Sequence, residues 1–134
     1  MPDVVDLNLD AAPDLGPVND GEYELSIARI AKHDTEKWAG LLVTLEIPSE
    51  PTGDDIMHPL GLPTANQTEK QQIRTLNQIK QFCAAFSITH NAFQKAYAAD
   101  DFDALLGKTG WAVLKGDEYD GRPVNRVSRF VANR

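Results

Sequence analysis

The fold is decided by Gly21-Glu22-Tyr23-Glu24-Leu25-Ser26-Ile27-Ala28-Arg29-Ile30-Ala31-Lys32 and, after the polar break His33-Asp34-Thr35-Glu36-Lys37, by Trp38-Ala39-Gly40-Leu41-Leu42-Val43-Thr44-Leu45-Glu46-Ile47-Pro48. Tyr23, Leu25 and Ile27 alternate with Glu24, Ser26 and Ala28, the period of a strand with one buried face. The alternation slips between Ile27 and Ile30, which suits a bulge at a sharp bend. The first strand is therefore placed from Glu22 to about Lys32. Leu41, Val43, Leu45 and Ile47 resume the period as a second, antiparallel strand, and the break between them is short enough for a hairpin. Trp38, Gly40, Leu42 and Thr44 then occupy its other face.

Outward from this pair, Pro48 to Asp54 is rich in turn residues, and Asp55 to Leu62 reads as a third strand whose proline confines it to an edge. The period then changes. Ile73, Leu76, Ile79, Phe82 or Cys83, and Phe86 recur every three to four residues, as on an amphipathic helix, and Thr68 with Gln71 or Gln72 offers a cap at its start. This helix runs from about Thr68 to Phe86. A shorter helix is expected over Asn91–Ala99, with one further turn before Gly107. Trp111 to Lys115 forms a fourth strand, Gly116 to Gly121 a turn, and Arg122 to Ala132 a fifth strand. The chain is thus mainly β with one or two helices, in the order β-β-β-α-β-β. That is the layout of an OB-fold-like five-stranded barrel with its helix between strands three and four.

The whole chain, 134 residues with 42% hydrophobic and 25% charged, is sized for one domain. Its apolar runs fall far short of the roughly 20 residues of a membrane span, so no membrane role is expected. The acidic N-terminus is the wrong charge for a secretory leader, which points to the cytoplasm. The single cysteine, Cys83, cannot pair internally, and His33, His58 and His90 are too scattered to suggest a metal. No cofactor or metal is expected. Leu105-Leu106-Gly107-Lys108-Thr109 resembles the tail of a phosphate-binding loop, but Phe102 stands where its first glycine belongs and a strand follows, so it is read as a turn. Asp100, Asp101 and Asp103 are read as complement to a helix dipole. With no motif in its proper context, no enzyme is expected.

The formal charge of −7 argues against a polyanionic partner only until it is located. Asp3, Asp6, Asp10, Asp14, Asp20, Glu22 and Glu24 account for all of it, and the thirteen acids and thirteen bases from Leu25 onward cancel. Residues 1–20 are read as an acidic, mobile arm and residues 21–134 as a single OB-like domain. Arg122, Arg126, Arg129 and Arg134 follow the last acid, Asp120, so the C-terminal segment is basic. An OB-fold binds single strands with a positive groove and aromatic faces on which bases stack. The residues in the right places are Trp38 and Tyr119 among the aromatics, and Arg29, Lys32, Lys37, Lys115, Arg122 and Arg126 along a phosphate path. Trp111 and Tyr23 are read instead as core or barrel-end residues.

Gly21-Glu22-Tyr23-Glu24-Leu25-Ser26-Ile27, Trp38 to Ile47, Leu106-Gly107-Lys108, and Tyr119-Asp120-Gly121-Arg122-Pro123-Val124-Asn125-Arg126-Val127 together resemble small bacteriophage single-stranded-DNA-binding proteins and their uncharacterised phage relatives. The resemblance spans about Gly21 to Val131. It implies an OB-fold, a role in protecting or presenting single-stranded DNA in replication or recombination, contacts with replication or recombination proteins, and self-association, for instance as a dimer. It also implies the host cell cytoplasm. Many such proteins carry their acidic tail at the C-terminus; this chain has its acids at the front. The alternative is an OB-like protein-interaction module that does not bind nucleic acid. An acidic arm that competes with DNA for the basic surface predicts that removing it tightens DNA binding; weaker or unchanged affinity in fluorescence anisotropy rejects the competition.

Overall fold

A computed structural model describes residues 9–36 and 38–132. Five strands, β1 (Gly21–Asp34), β2 (Ala39–Glu46), β3 (Ile56–Gly61), β4 (Thr109–Tyr119) and β5 (Arg122–Val131), form one antiparallel sheet in the order β3-β2-β1-β4-β5. Two helices, α1 (Glu69–Ala85) and α2 (His90–Ala99), lie between β3 and β4. The mainly β reading with two helices stands, and β3 is an edge strand as its proline requires. No helix among the described residues is long and apolar enough to cross a membrane.

β1 is long enough to serve two partners because it bends. Its N-terminal half pairs with β4 and its C-terminal half with β2, and the register shifts between Ile27 and Arg29, where the sequence period slips. The shift keeps Leu25, Ile27 and Ile30 in the core despite their uneven spacing. Leu41, Val43, Leu45 and Ile47 are buried, as their alternation predicts. α1 opens on a reciprocal cap, in which the Thr68 hydroxyl accepts from the Gln71 N–H and the Gln71 side chain accepts from the Thr68 N–H. Its far end presses on β4 at Gly110, where any Cβ would overlap the Ala85 carbonyl.

The structure alters two expectations in the C-terminal hairpin. Strands β4 and β5 run on to Tyr119 and Arg122, and only Asp120 and Gly121 make the turn, both at positive φ (54° and 76°). Successive positive-φ residues allow a two-residue hairpin loop, which Asp-Gly supplies. A polar hairpin with both faces exposed lacks hydrophobic alternation, so the sequence gives no sign that the strands continue. Then β5 carries a bulge: Val113 opposes Arg129 while Leu114 opposes Val127, which leaves Ser128 as the extra residue. Strict alternation would put Phe130 on the face of Arg126; the bulge turns Phe130 to the core face and Arg129 to the face of Arg126.

The expected barrel is not closed by hydrogen bonds. Among the described residues no ladder joins β3 to β5, and the sheet is open. The two edges meet through side chains instead. The Phe130 ring packs edge-on to His58 of β3 at 5.0 Å between centroids, to Phe82 of α1 at 5.5 Å and to Phe86, which caps that helix, at 5.8 Å.

At one end of this seam lies the N-terminal segment. The Gly16 N–H donates to the Thr52 carbonyl and the Asp54 N–H to the Gly16 carbonyl. Val18 exchanges two hydrogen bonds with the buried Asn125 amide (2.8 and 3.0 Å), and Asp20 accepts from the Gly116 N–H at 2.7 Å. Residues Gly16 to Asp20 of the acidic arm are thereby tied to β4, β5 and the β2–β3 loop. Deleting them would strand the Asn125 amide, so the arm is best tested with a deletion ending at Leu15.

Burial lowers the His58 imidazole to about 4 from its ordinary 6.5. The neutral ring is the form the seam accepts, so its contribution to stability is present above pH 6.5 and is lost as pH falls toward 4. The expected loss is about 2 kcal/mol between pH 7 and pH 5. Urea unfolding of the native chain and His58→Leu at both pH values checks this: the variant should lack that component, and equal pH slopes would exclude it.

Candidate nucleic-acid interface

The face of the sheet opposite the core is set by pairing register. Gly40 lies beside Gly61, Leu42 beside Pro59 and Thr44 beside Met57, while Arg29, Ala31 and His33 of β1 flank Thr44, Leu42 and Gly40. The result is an outer surface on β2 and β3 with Leu42, Pro59 and the 54%-exposed Met57 along its middle.

Trp38 occupies one end of this surface. It follows the β1–β2 turn, where the Thr35 hydroxyl accepts from its N–H at 3.0 Å and its carbonyl accepts from the Thr35 N–H at 2.7 Å. Its indole lies directly over Gly40, where a Cβ would collide with the ring and with the Leu60 carbonyl, and a Cβ on the neighbouring Gly61 would stand 3.3 Å from the indole Nε1. Two facing glycines make the shallow seat that lets a large flat side chain lie on the sheet. His33 stands beside it, 6.0 Å between ring centroids. The half-buried indole also walls a cleft of about 410 Å³ that reaches across to Gln67, Gln71 and Arg74 at the start of α1.

The β4–β5 hairpin stands at the other end. Lys115 opposes Arg126 and Tyr119 opposes Arg122, so these four predicted residues share one face. Tyr119, 61% exposed, and Arg126 join Leu42, Met57 and Pro59 around a groove of about 400 Å³. The groove is not strongly basic, because Arg126 is ion-paired with Asp117 and Asp55 sits on its margin.

Arg29 and Lys32 are not part of that hairpin group. They line a separate cleft opposite Asp100, Asp101 and Asp103, and the Lys32 ammonium rests 4.3 Å from the centre of the Tyr97 ring. The acidic turn thus faces the two bases and offsets them. Lys37 lies outside the described residues. The Gly107-Lys108-Thr109 stretch is a turn into β4, with Gly107 at φ 83° and its N–H bonded to the Ile27 carbonyl. No cluster of three metal-ligating side chains occurs among the described residues. Burial pushes the Cys83 thiol up to about 11, which keeps it protonated and unreactive.

Sequence reasoning passed over Met57, Gln67 and Arg74. The available signal was a pair of glycines, Gly40 and Gly61, inside strands, where glycine marks close approach of another group. Compared with models of known families the sequence matches none, and no curated protein matches it.

Gly40→Ala is expected to unseat the indole at a cost of about 1–3 kcal/mol and to red-shift tryptophan emission as Trp38 moves into water. Unchanged emission and stability would mean that the glycine seat does not hold the ring.

Proposed function

We propose that the protein is a non-enzymatic single-stranded-DNA-binding protein of the phage type, which holds the strand along the outer face of β2 and β3. The observation that carries this reading is Trp38 seated over the Gly40–Gly61 pair at one end of that face, with Tyr119 exposed at the other. Bases stack on such aromatic faces, and each stack is worth about 1–3 kcal/mol. Between them Leu42, Pro59 and Met57 offer an apolar floor, while Lys115, Arg122 and Arg126 supply cations from the hairpin.

The strand order supports an OB-like barrel closed by side chains in place of a fifth ladder. β3 and β5 are the two free edges, the helices enter between β3 and β4, and the edges approach at His58 and Phe130. In OB-folds strands two and three and the hairpin between strands four and five form the oligonucleotide surface, which is where Trp38, Met57 and Tyr119 lie. Action in the host cytoplasm, in replication or recombination and as a dimer, follows from the phage resemblance. A second reading, a protein-interaction module, is favoured by Ile73 and Leu76, each 53% exposed on α1.

Anisotropy of a labelled oligothymidine over a range of salt separates the two. Binding through Z phosphates gives a log-log slope near −0.7Z, and Trp38→Ala should weaken affinity by about tenfold or more. Absence of salt-sensitive binding at low ionic strength would leave the interaction module as the better account.

A further inference from the structure

We infer that the cleft beside Trp38 is a base-insertion pocket that takes one unpaired nucleobase of the bound strand and so discriminates single-stranded from duplex DNA. This deepens the single-strand reading and rests on it.

The first observation is a polar atom without a partner. Gln67 Oε1 is buried and accepts no hydrogen bond from the described residues, an arrangement that native proteins rarely retain without a reason. The neighbouring glutamines are committed elsewhere. Gln71 Oε1 accepts from the Thr68 N–H in the helix cap, and Gln72 Nε2 donates to the Thr64 carbonyl. The Gln67 side chain lines the same cleft as Trp38 and Arg74, with its unpartnered oxygen shielded from solvent. The cleft thus combines an aromatic wall, a glutamine whose oxygen lacks a donor, and a cation.

A nucleotide has the complement of all three: a π face, an N–H donor on the base edge, and a phosphate. Adenine N6, cytosine N4, guanine N1 and N2, and thymine N3 all put such a donor on the Watson–Crick edge, which unstacked single-stranded bases present to proteins. In a duplex that edge is engaged by the opposite strand. An acceptor on Gln67 therefore rewards an unpaired base of any identity, whereas pairing engages the only N–H of thymine and stacking in a duplex keeps every base face from the Trp38 ring. The oxygen is shielded in the free protein. The terminal torsion of a glutamine is broad, and with no bond on its oxygen the amide can turn toward the cleft when a donor arrives. At about 410 Å³ the cleft falls within the size range of ligand sites.

The test uses the full chain and three labelled probes: an oligothymidine of about 12 nucleotides, within the site size of an OB-fold, the same length of abasic strand, and a hairpin duplex. Gln67→Met keeps volume and removes the acceptor. It should weaken oligothymidine binding about three- to tenfold, leave abasic and duplex binding unchanged, and so reduce the preference for single strands by the same factor. Its thermal midpoint should equal or exceed that of the native chain, since an unsatisfied acceptor is gone. Arg74→Gln, an exposed change, should weaken oligothymidine and abasic binding alike and reduce the salt slope by about 0.7. If the native chain binds oligothymidine and Gln67→Met binds it equally well, or loses abasic affinity to the same extent, the pocket is overturned while the single-strand reading survives. If the native chain binds no single strand, both fall.

Discussion

Contact between the two free edges of the sheet is the constraint on which the rest of the structure depends. A five-stranded sheet of this order leaves β3 and β5 without hydrogen-bonded neighbours, and exposed edges invite pairing with other chains. Phe130 brings the edges into contact, its ring against His58 on the opposite edge and against Phe82 and Phe86. Aromatic pairs of this geometry add about 0.5–1.5 kcal/mol each beyond the area that they bury. The side-chain contact also fixes what lies on the outside. With β5 held against β3, the polar β4–β5 hairpin borders Leu42, Met57 and Pro59, and two surfaces distant in sequence become one groove.

The Ser128 bulge makes this contact available. Without the extra residue, Phe130 would stay in phase with Arg126 and point outward, and β5 would offer no ring to the seam. Asn125, just before the bulge, does comparable work with polar atoms: its amide satisfies both backbone groups of Val18 and is satisfied by them. A buried amide that bonds on both sides specifies where the N-terminal segment must lie.

Charge is arranged more locally than its total of −7 indicates. Arg29 and Lys32 face the Asp100–Asp103 turn, and Arg126 faces Asp117. The exposed Arg126–Asp117 pair contributes little to stability, but these nearby acids lower the local potential that a phosphate would meet. What distinguishes the outer face of β2 and β3 is therefore its shape and its aromatic ends more than its net charge. The glycine seat for Trp38 and the unpartnered Gln67 acceptor lie in the same corner of the molecule.

Where one face of an element is buried, the sequence by itself determined the element. Leu25, Ile27 and Ile30 with their slipped period, Leu41 to Ile47, and Thr68 with Gln71 at the helix start all encode local physics: side-chain alternation, a bulge, a reciprocal cap. Trp38 was legible as a surface aromatic because it precedes that alternation. Only the tertiary structure decided the rest. The β4–β5 hairpin is exposed on both faces, so no pattern marked its length, and a one-residue bulge in β5 leaves no compositional trace yet reverses Phe130 and Arg129. The opposition of Arg29 and Lys32 to the aspartates, and the meeting of Trp38 with Gln67 and Arg74, join segments far apart in the chain. Periodicity reports which way a side chain points along its own strand or helix; which other element it meets there depends on how the sheet curls and where its edges close.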